Sequence, residues 1–450
     1  MSSVDRAWLR MDHPTNLMMI NGLLFFDEAL SRDEVQPLLE KRLLSVARFG
    51  HRVTAKSGGG HEWESVEPDM AYHLAEHRLD PPGDDSDLQD LVSSWMSTPL
   101  DPDRPLWRIH LIHGYHKGGV LYCRLHHCVG DGLALMLVLL SLTERAPQGE
   151  PAIDSNPLRR LFGVDPPCAE TAKEIVADIM PAAAKILTAP AEQLKSLSWW
   201  QKSGASIPAL GKLALRPPDT KTLFKGELGS EKTAVWSDSV PLSAVNEIRR
   251  VLGGTINDIL TNAVAGGLRR YLETRGGLRH RLNIRAVVPV SLRPVEEMAA
   301  LGNQFGLVFL SLPVGIADPR ERLNELRKRM TRLKRSFEPV VALGLLRLIG
   351  SLSARLQELA VKIFGAKGTF VLTNVPGPLE TLYFAGKPIR SFLFWVPGRF
   401  GMGISIASYG EQIRVGIVSD AGLVPDPAAI VAGFHQEFNA MLRLAATLNR

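Results

Sequence analysis

Short apolar runs alternate with helix-like segments along the first 145 residues of the chain. The apolar run 20–26 predicts a strand, and the segment after it opens with Ser31 and Glu34, whose spacing is that of a capping box at the start of a helix. Residues 106–113 and 120–127 predict two further strands, and the glycines between them favour an antiparallel hairpin. The N-terminal part is therefore expected to form an α/β layer structure.

The C-terminal part shows the same alternation. Helices are predicted over 243–252 and 256–272. Apolar strands are predicted over 284–292, 305–313, 369–374, 391–396, 403–408 and 413–418. Strands that interleave with helices in both halves indicate two α/β domains and not one long sheet.

A proline-rich stretch separates the two alternating blocks, and a helical stretch interrupted by prolines follows it. A chain of 450 residues also exceeds the size at which single hydrophobic cores stop growing. We therefore predict an α/β protein with an N-terminal domain over 1–165, a helical linker over 166–229 and a C-terminal domain over 230–450. Each domain is expected to be a mixed sheet flanked by helices.

The composition, with 45% hydrophobic and 22% charged residues, is that of an ordinary globular protein and argues against general disorder. Three cysteines without CxxC spacing argue against a disulfide framework and a zinc-thiolate site. The N-terminus lacks the pattern of a secretory signal, and the densest apolar run, 132–142, is too short to span a bilayer. The expected location is the cytoplasm. A net charge of +5 suits acidic partners such as anionic lipid surfaces, nucleic acid or a phosphate-bearing cofactor.

The clearest chemical feature is the sequence HHCVGDG at 126–132, where two histidines close a predicted strand. Successive strand side chains point to opposite faces, so His126 and His127 are expected to have different roles. A neutral imidazole at pH 7 can accept a hydroxyl proton, which makes a histidine here a candidate general base. Asp131 either caps the helix that begins at Gly132 and pairs with a basic residue or, less favourably, takes part in proton transfer.

Two histidines and an aspartate are also plausible metal ligands. Adjacent histidines on a strand point apart, however, so joint ligation by this pair is awkward. We therefore expect no metal site here. For each histidine taken alone, a hydrogen-bonded core residue is the simplest alternative.

The HHxxxDG pattern resembles the signature of the CoA-dependent acyltransferase superfamily, which includes chloramphenicol acetyltransferases and the condensation domains of peptide synthetases. Further segments resemble the bacterial wax ester synthase/diacylglycerol acyltransferase family in order along the chain. They are DRAWLRMDHPTNLMM, Pro105-Leu106-Trp107, LGGTINDILTNAVAGGLRRYL, PVSLRP at 289–294 and TNVPGP at 373–378. The resemblance covers nearly the whole chain and implies two chloramphenicol-acetyltransferase-like domains with the active site in a channel between them.

The resemblance also implies roles for the residues of the histidine motif. His127 would be the general base, and His126 would support the fold. Asp131 would be held by an arginine without touching substrate, with Arg48 as the first candidate and Arg293 as the second.

Two further segments carry implied roles. Thr373 would supply the hydroxyl that stabilises the tetrahedral oxyanion, although a turn after a strand also explains that segment. The resemblance makes Asn374, Asn257 and Asp258 candidates for contact with acyl-CoA. Thr255 and Asp258, however, also have the spacing of a helix cap.

By this resemblance the protein transfers a long-chain acyl group from acyl-CoA, a co-substrate and not a resident cofactor, to diacylglycerol or a fatty alcohol. The products are triacylglycerol or wax ester. Direct transfer without an acyl-enzyme is expected, because the chain has no nucleophile elbow such as GxSxG. The alternatives are a condensation-type enzyme with a carrier-bound donor and a non-catalytic lipid-droplet protein. A nucleic-acid partner is not expected, since no binding motif accompanies the basic residues.

Water-insoluble substrates predict peripheral attachment to the inner membrane or to lipid droplets. The leucine-rich segment 339–368, with interspersed arginines and lysines, is the candidate interfacial helix, and a core helix between the domains is the alternative. The basic face of a predicted helix over 319–337 is most simply solvated, with binding of CoA phosphates or an anionic membrane as the alternative.

Overall fold

The computed structural model describes residues 1–57, 60–147, 216–291, 303, 305–334 and 354–449. Its strands are β1 (Met19–Phe26), β2 (His51–Ala55), β3 (His61–Ser65), β4 (Leu74–Arg78), β5 (Trp107–Tyr115), β6 (Gly118–His126), β7 (Lys232–Trp236), β8 (Val240–Pro241), β9 (Ile284–Ser291), β10 (Phe305–Leu312), β11 (Phe370–Pro376), β12 (Tyr383–Phe384), β13 (Lys387–Trp395), β14 (Met402–Tyr409) and β15 (Gln412–Asp420). Its α-helices are α1 (Ser3–Met11), α2 (Arg32–Leu38), α3 (Met70–His73), α4 (Asp85–Met96), α5 (Gly132–Ser141), α6 (Leu242–Leu252), α7 (Ile256–Thr274), α8 (Pro319–Lys334), α9 (Ala354–Gly365) and α10 (Ala428–Leu448).

The first sheet has six strands in the order β12-β13-β1-β6-β5-β4. The predicted hairpin is β5-β6, and its strands pair in antiparallel fashion, as does β1 with β6. β4 runs parallel to β5, which makes the sheet mixed. The predicted capping box is present at the start of α2, where Ser31 and Glu34 satisfy each other's backbone amides.

The second sheet has seven strands. Six follow the order β10-β9-β11-β14-β15-β7, and β8 pairs with the first two residues of β15. β11 is parallel to β9 and β14, whereas β14 and β15 are antiparallel. Helices α6, α7, α8 and α10 contribute to the apolar core of this sheet. The prediction of an α/β protein with two mixed sheets flanked by helices is confirmed.

β12 and β13 come from the C-terminal part of the chain but lie at the edge of the first sheet, where β13 pairs with β1. The apolar run 391–396 predicts a strand there, but the run contains nothing that selects the sheet it joins. Residues 148–215, which include most of the linker predicted over 166–229, lie outside the described residues, and the bounds of the three predicted segments stay a prediction. β13 brings Phe394 and the loop after the strand to the cavity between the sheets.

Two glycines let α7 and α10 cross at close range. A Cβ atom at Gly267 would lie 2.8 Å from the carbonyl oxygen of Ile430, and one at Gly433 would lie 3.0 Å from the Cα of Gly267. Only glycine allows such a backbone approach without displacing a helix. Among the helices that the structure describes, none combines the length and apolarity needed to cross a bilayer.

Candidate active site

The histidine pair lies where β6 ends against its neighbours. The backbone amide of His126 donates to Leu106 at 2.9 Å, and that of His127 donates to Met18 at 2.8 Å. The two side chains line different cavities. His126 Nδ1 accepts a hydrogen bond from the Cys128 amide at 3.1 Å, which ties this ring to the turn after the strand.

His127 lies in the central cavity between the sheets and is 3% exposed. Its ring stacks on Trp8 of α1, with 3.8 Å between centroids and 10° between planes, and lies 5.6 Å from the Phe305 ring. Burial lowers the pKa of His127 to about 4, although the negative charge of Asp131 acts in the opposite direction. The imidazole is therefore neutral at pH 7 and able to accept a proton.

A hydrogen-bonded chain from α1 holds the backbone of this histidine. Asn303 Nδ2 donates to the His127 carbonyl at 3.1 Å and to Asp5 Oδ1 at 3.0 Å. Arg48 Nη1 lies 3.3 Å from Asp5 Oδ2, and its guanidinium covers the Trp63 ring. Arg48, the first candidate partner of Asp131, thus pairs with Asp5 in this structure. Asp5 is buried, and an unpaired buried charge is costly. The cationic partner of Asp131 stays a prediction.

Asp131 is the N-cap of α5. Its Oδ1 accepts a hydrogen bond from the Ala134 amide at 2.9 Å, and the residue lines the central cavity. Gly132 follows at the cavity wall, where an added Cβ atom would lie 3.1 Å from Val396 Cγ1. The hydrogen bond to Ala134 is the one expected if Asp131 caps the helix. Arg293, the second candidate partner of Asp131, lies outside the described residues.

The central cavity has a volume of about 330 Å³ and lies between the two sheets. Its walls are mainly apolar and come from both sheets and from helices α1, α5 and α9. They include Trp8, Met136, Val287, Phe305, Leu307, Phe309, Val361, Phe364, Phe394 and Val396. The polar groups of the lining include His127, Asp131, Thr373, Asn374 and Arg399. An apolar cavity with a few polar groups is typical of a site for a largely apolar ligand.

Thr373 and Asn374 reach the cavity from β11, in the sheet opposite His127. Thr373 Oγ1 makes a long hydrogen bond, 3.5 Å, to the Ile404 carbonyl. Asn374 Nδ2 donates to Asn257 Oδ1 on α7 at 2.6 Å, so two of the predicted contact residues meet. The Asp258 carboxylate accepts hydrogen bonds from the amide and hydroxyl of Thr255, at 2.8 and 2.9 Å, which completes the capping box.

Trp8, Phe305 and Asn303 are site residues that were not predicted. The first two border the His127 ring, and Asn303 binds its backbone carbonyl. The buried residues Val4, Ala7 and Trp8 follow helical spacing on α1, so that pattern could have placed Trp8 in a core. No local pattern connects Phe305 or Asn303 to a histidine more than a hundred residues earlier.

Among the residues that the structure describes, no group of three or more histidine, cysteine, aspartate or glutamate side chains is arranged to hold an ion. His126 and His127 lie on separate cavities, as expected for adjacent positions at a strand end.

Comparison with known proteins identifies related sequences along the chain. The model of the wax ester synthase/diacylglycerol acyltransferase catalytic domain matches residues 1–260, and that of the WS/DGAT C-terminal domain matches residues 301–442. A probable diacylglycerol O-acyltransferase of Mycobacterium tuberculosis is 28% identical over 473 residues, which cover 100% of this chain and 96% of the relative. A wax ester synthase/diacylglycerol acyltransferase of Arabidopsis thaliana is 26% identical over 429 residues, covering 86% and 84%.

Solved structures share the fold. The wax ester synthase/diacylglycerol acyltransferase of Marinobacter aquaeolei VT8 superposes with a TM-score of 0.69 at 22% identity, covering 98% of both chains. The first condensation domain of the calcium-dependent antibiotic synthetase superposes with a TM-score of 0.59 at 16% identity, covering 99% of this chain and 96% of that one. At these identities the likeness establishes the fold, and it confirms the chloramphenicol-acetyltransferase-like fold expected from the sequence.

Proposed function

The chain belongs to the wax ester synthase/diacylglycerol acyltransferase family, and on this premise we propose that His127 is the general base of a direct acyl transfer. As a member of this family the protein is an O-acyltransferase that acts on diacylglycerol or a long-chain alcohol. Acyl-CoA is the donor and is consumed as a co-substrate. The observation that carries the proposal is the neutral His127 ring, buried in a mainly apolar cavity of about 330 Å³ that residues of both sheets line.

In the proposed reaction, His127 takes the hydroxyl proton of the acceptor as its oxygen attacks the thioester carbonyl. The tetrahedral intermediate collapses, the carbon–sulfur bond breaks, and the CoA thiolate takes the proton back from the imidazolium. The products are the ester and free CoA. No covalent acyl-enzyme forms, because the acceptor hydroxyl is itself the nucleophile.

Thr373 is proposed to stabilise the oxyanion of this intermediate. Its hydroxyl lies on the sheet opposite His127, and its present hydrogen bond to Ile404 is long enough to be exchanged readily for one to a charged oxygen. Asn374, held by Asn257, is proposed to contact the acyl-CoA beside it. A hydroxyl and a base on facing walls would bracket the reacting carbonyl.

The function is tested by mixing the purified protein with palmitoyl-CoA and either hexadecanol or dioleoylglycerol. Release of CoA together with ester is the expected result. Turnover only with a carrier-bound acyl donor would favour the condensation-type alternative, and no turnover with any donor would favour a non-catalytic lipid-droplet protein. Mass spectrometry after mixing with palmitoyl-CoA alone is expected to find unmodified protein, and an acylated chain would refute direct transfer.

The lowered pKa of His127 predicts an unusual pH profile. Its neutral form persists well below the ordinary histidine range, so kcat/KM, which reports the pKa of the free enzyme, is expected to stay nearly constant from about pH 8 down to about pH 5.5. A base with an ordinary pKa near 6.5 would lose most of its activity over that interval. The measurement is kcat/KM against pH, and a fall centred near pH 6.5 would contradict the proposed environment of the base.

Stability must be followed in the same experiment. Burial lowers the pKa of His110 to about 2 and that of His73 to about 4. Both are neutral in the folded protein and gain protons on unfolding below about pH 6.5, so the free energy of unfolding is expected to fall as the pH drops below that value. Far-UV circular dichroism at each pH separates unfolding from titration of the base, because it does not depend on Trp8, which stacks on His127.

We also propose that the protein attaches peripherally to a lipid surface through α9. Leu356, Leu359 and Ile363 are 54%, 54% and 48% exposed and follow helical spacing, with the exposed Arg355 and Lys362 beside them. An apolar stripe with basic neighbours on a solvent-facing helix suits a membrane interface.

The opposite face of α9 belongs to the active site. Val361 and Phe364 line the central cavity, and Gln357 Nε2 donates to the Ala7 carbonyl at 2.9 Å. A lipid surface against the exposed stripe would therefore lie one helix away from the cavity. The leucines predicted for this role in the N-terminal part of the segment, residues 339–353, lie outside the described residues.

The variant Leu356→Asp with Leu359→Asp is expected to lose flotation with vesicles that contain phosphatidylglycerol, because two charges would have to enter the apolar interface. Leu379→Asp with Leu448→Asp, also at exposed leucines, is the matched control and is expected to float. An unchanged melting temperature in both variants is required. Flotation of the α9 variant at the control level would show that another surface of the protein mediates the attachment.

A further inference from the structure

Four basic side chains gather around the turn that follows α9, and we call Arg216, Lys225, Arg285 and Lys367 the basic cluster. Lys225 Nζ donates to the Ala366 carbonyl at 2.7 Å and to the Gly368 carbonyl at 2.8 Å. Arg285 Nη1 donates to the Lys367 carbonyl at 2.9 Å. Hydrogen bonds from Lys225 and Arg285 therefore hold this turn in place.

The basic cluster borders the central cavity. The Arg216 guanidinium lies 5.1 Å from the centroid of the Phe309 ring, and Lys367 Nζ lies 5.1 Å from that of Phe364. Both rings line the cavity, and Arg399 lines it as well. Positive charge therefore lies at the border of the cavity that contains His127.

Asp219 places a carboxylate against Arg285, with Oδ1 3.5 Å from Arg285 Nε and Oδ2 accepting from the Arg285 amide at 2.8 Å. Lys367 is only 3% exposed, and burial together with the charges of Arg216 and Arg285 lowers its pKa to about 8. A bound anion would relieve this local positive potential.

Resting on the proposed function, we propose that the basic cluster binds the phosphate groups of the 3′-phospho-ADP portion of acyl-CoA. The acyl group and the pantetheine arm then occupy the largely apolar cavity that leads to His127. Neither the basic cluster nor the basic face of α8, the alternative phosphate site, contributes a residue to the described lining of this cavity, but Arg216 and Lys367 lie over two of the lining rings.

Phosphate groups also occur on phospholipids, and α9 brings a proposed lipid surface close to the cluster. The nucleotide is the better match, because Phe309 and Phe364 connect the cluster to the interior cavity, whereas the exposed stripe of α9 is on its other face. Both sources of phosphate enter the test.

The test compares Arg216→Gln with Lys367→Met against Arg320→Gln with Lys328→Met, which removes the same charge from α8. In the cluster variant, the ratio of kcat/KM for palmitoyl-CoA to that for palmitoyl-pantetheine is expected to fall about 10- to 100-fold, since charge-assisted hydrogen bonds to phosphate are lost. Calorimetric affinity of the full chain for adenosine 3′,5′-bisphosphate is expected to fall in parallel. The α8 variant is expected to match the wild type in both.

An unchanged ratio and unchanged nucleotide affinity in the cluster variant would overturn the proposal, and a loss confined to the α8 variant would move the phosphate site to that helix. Loss of phosphatidylglycerol vesicle binding with full nucleotide affinity would identify a headgroup site and also overturn it. If the double variant unfolds, Arg216→Gln alone is measured in the same way. Turnover of neither thioester by the wild type would refute the proposed function, whereas the nucleotide titration would still decide the binding site.

Discussion

Replacing His127 by alanine is expected to lower kcat for acyl transfer by about 100- to 10,000-fold, which is the usual cost of losing one general base. The neutral ring is held against Trp8 within the cavity, and the His127 carbonyl is held by Asn303. Alanine keeps the backbone hydrogen bonds but removes the proton acceptor. The measurement is CoA release at saturating palmitoyl-CoA and hexadecanol.

The matched control is His113→Ala, a histidine on the outer part of β5 that contacts Glu76 and does not line the cavity. This variant is expected to turn over at the wild-type rate. Both proteins must show cooperative thermal unfolding, since the His127 ring is buried and its removal leaves a void beside Trp8. Wild-type turnover by a folded His127→Ala protein would show that His127 is not the general base.

The elements around the catalytic motif could be predicted because their signals are local. The apolar runs of β5 and β6, the glycines between them and the capping box of α2 each lie within a few residues of the structure they specify. The divergence of the two histidines follows from the alternation of strand side chains. The resemblance to a known family then supplied the role of His127.

Features that depend on distant parts of the chain could not be read in the same way. β13 joins the first sheet although it follows β11 of the second, and its apolar residues would suit either sheet. Arg48 pairs with Asp5, 43 residues away in sequence, and Asn303 joins that pair to the His127 carbonyl. Such contacts are selected by three-dimensional packing and by the cost of a buried unpaired charge. The residue spacing within one segment does not encode them.

The second domain depends on another buried charge, the carboxylate of Glu437 on α10. Arg322 of α8 is fully buried, contacts this carboxylate and donates from Nε to Asn262 Oδ1 at 3.1 Å. Arg270 of α7 lies 2.7 Å from the other carboxylate oxygen. Gly266 makes room for the group, because a Cβ atom there would lie 2.2 Å from Glu437 Cγ. The network therefore joins α7, α8 and α10 behind the sheet that carries Thr373.

Glu437→Gln is expected to lower the free energy of unfolding by about 3–5 kcal/mol, since Arg322 would stay charged and buried without its partner. The measurement is chemical denaturation of the full chain. Glu273→Gln, which removes an exposed carboxylate from a pair with Arg269, is the control and is expected to cost less than about 1 kcal/mol.

The double variant Arg322→Met with Glu437→Leu separates the cost of an unpaired buried charge from the loss of the ion pair itself. It is expected to be more stable than Glu437→Gln, because apolar side chains of similar size leave no buried charge unpaired. A loss in Glu437→Gln as small as that in Glu273→Gln would show that water reaches Arg322 once the carboxylate is gone. The three helices would then be held by their apolar contacts and by the close approach of Gly267 to Gly433, and the ionic network would contribute little to stability.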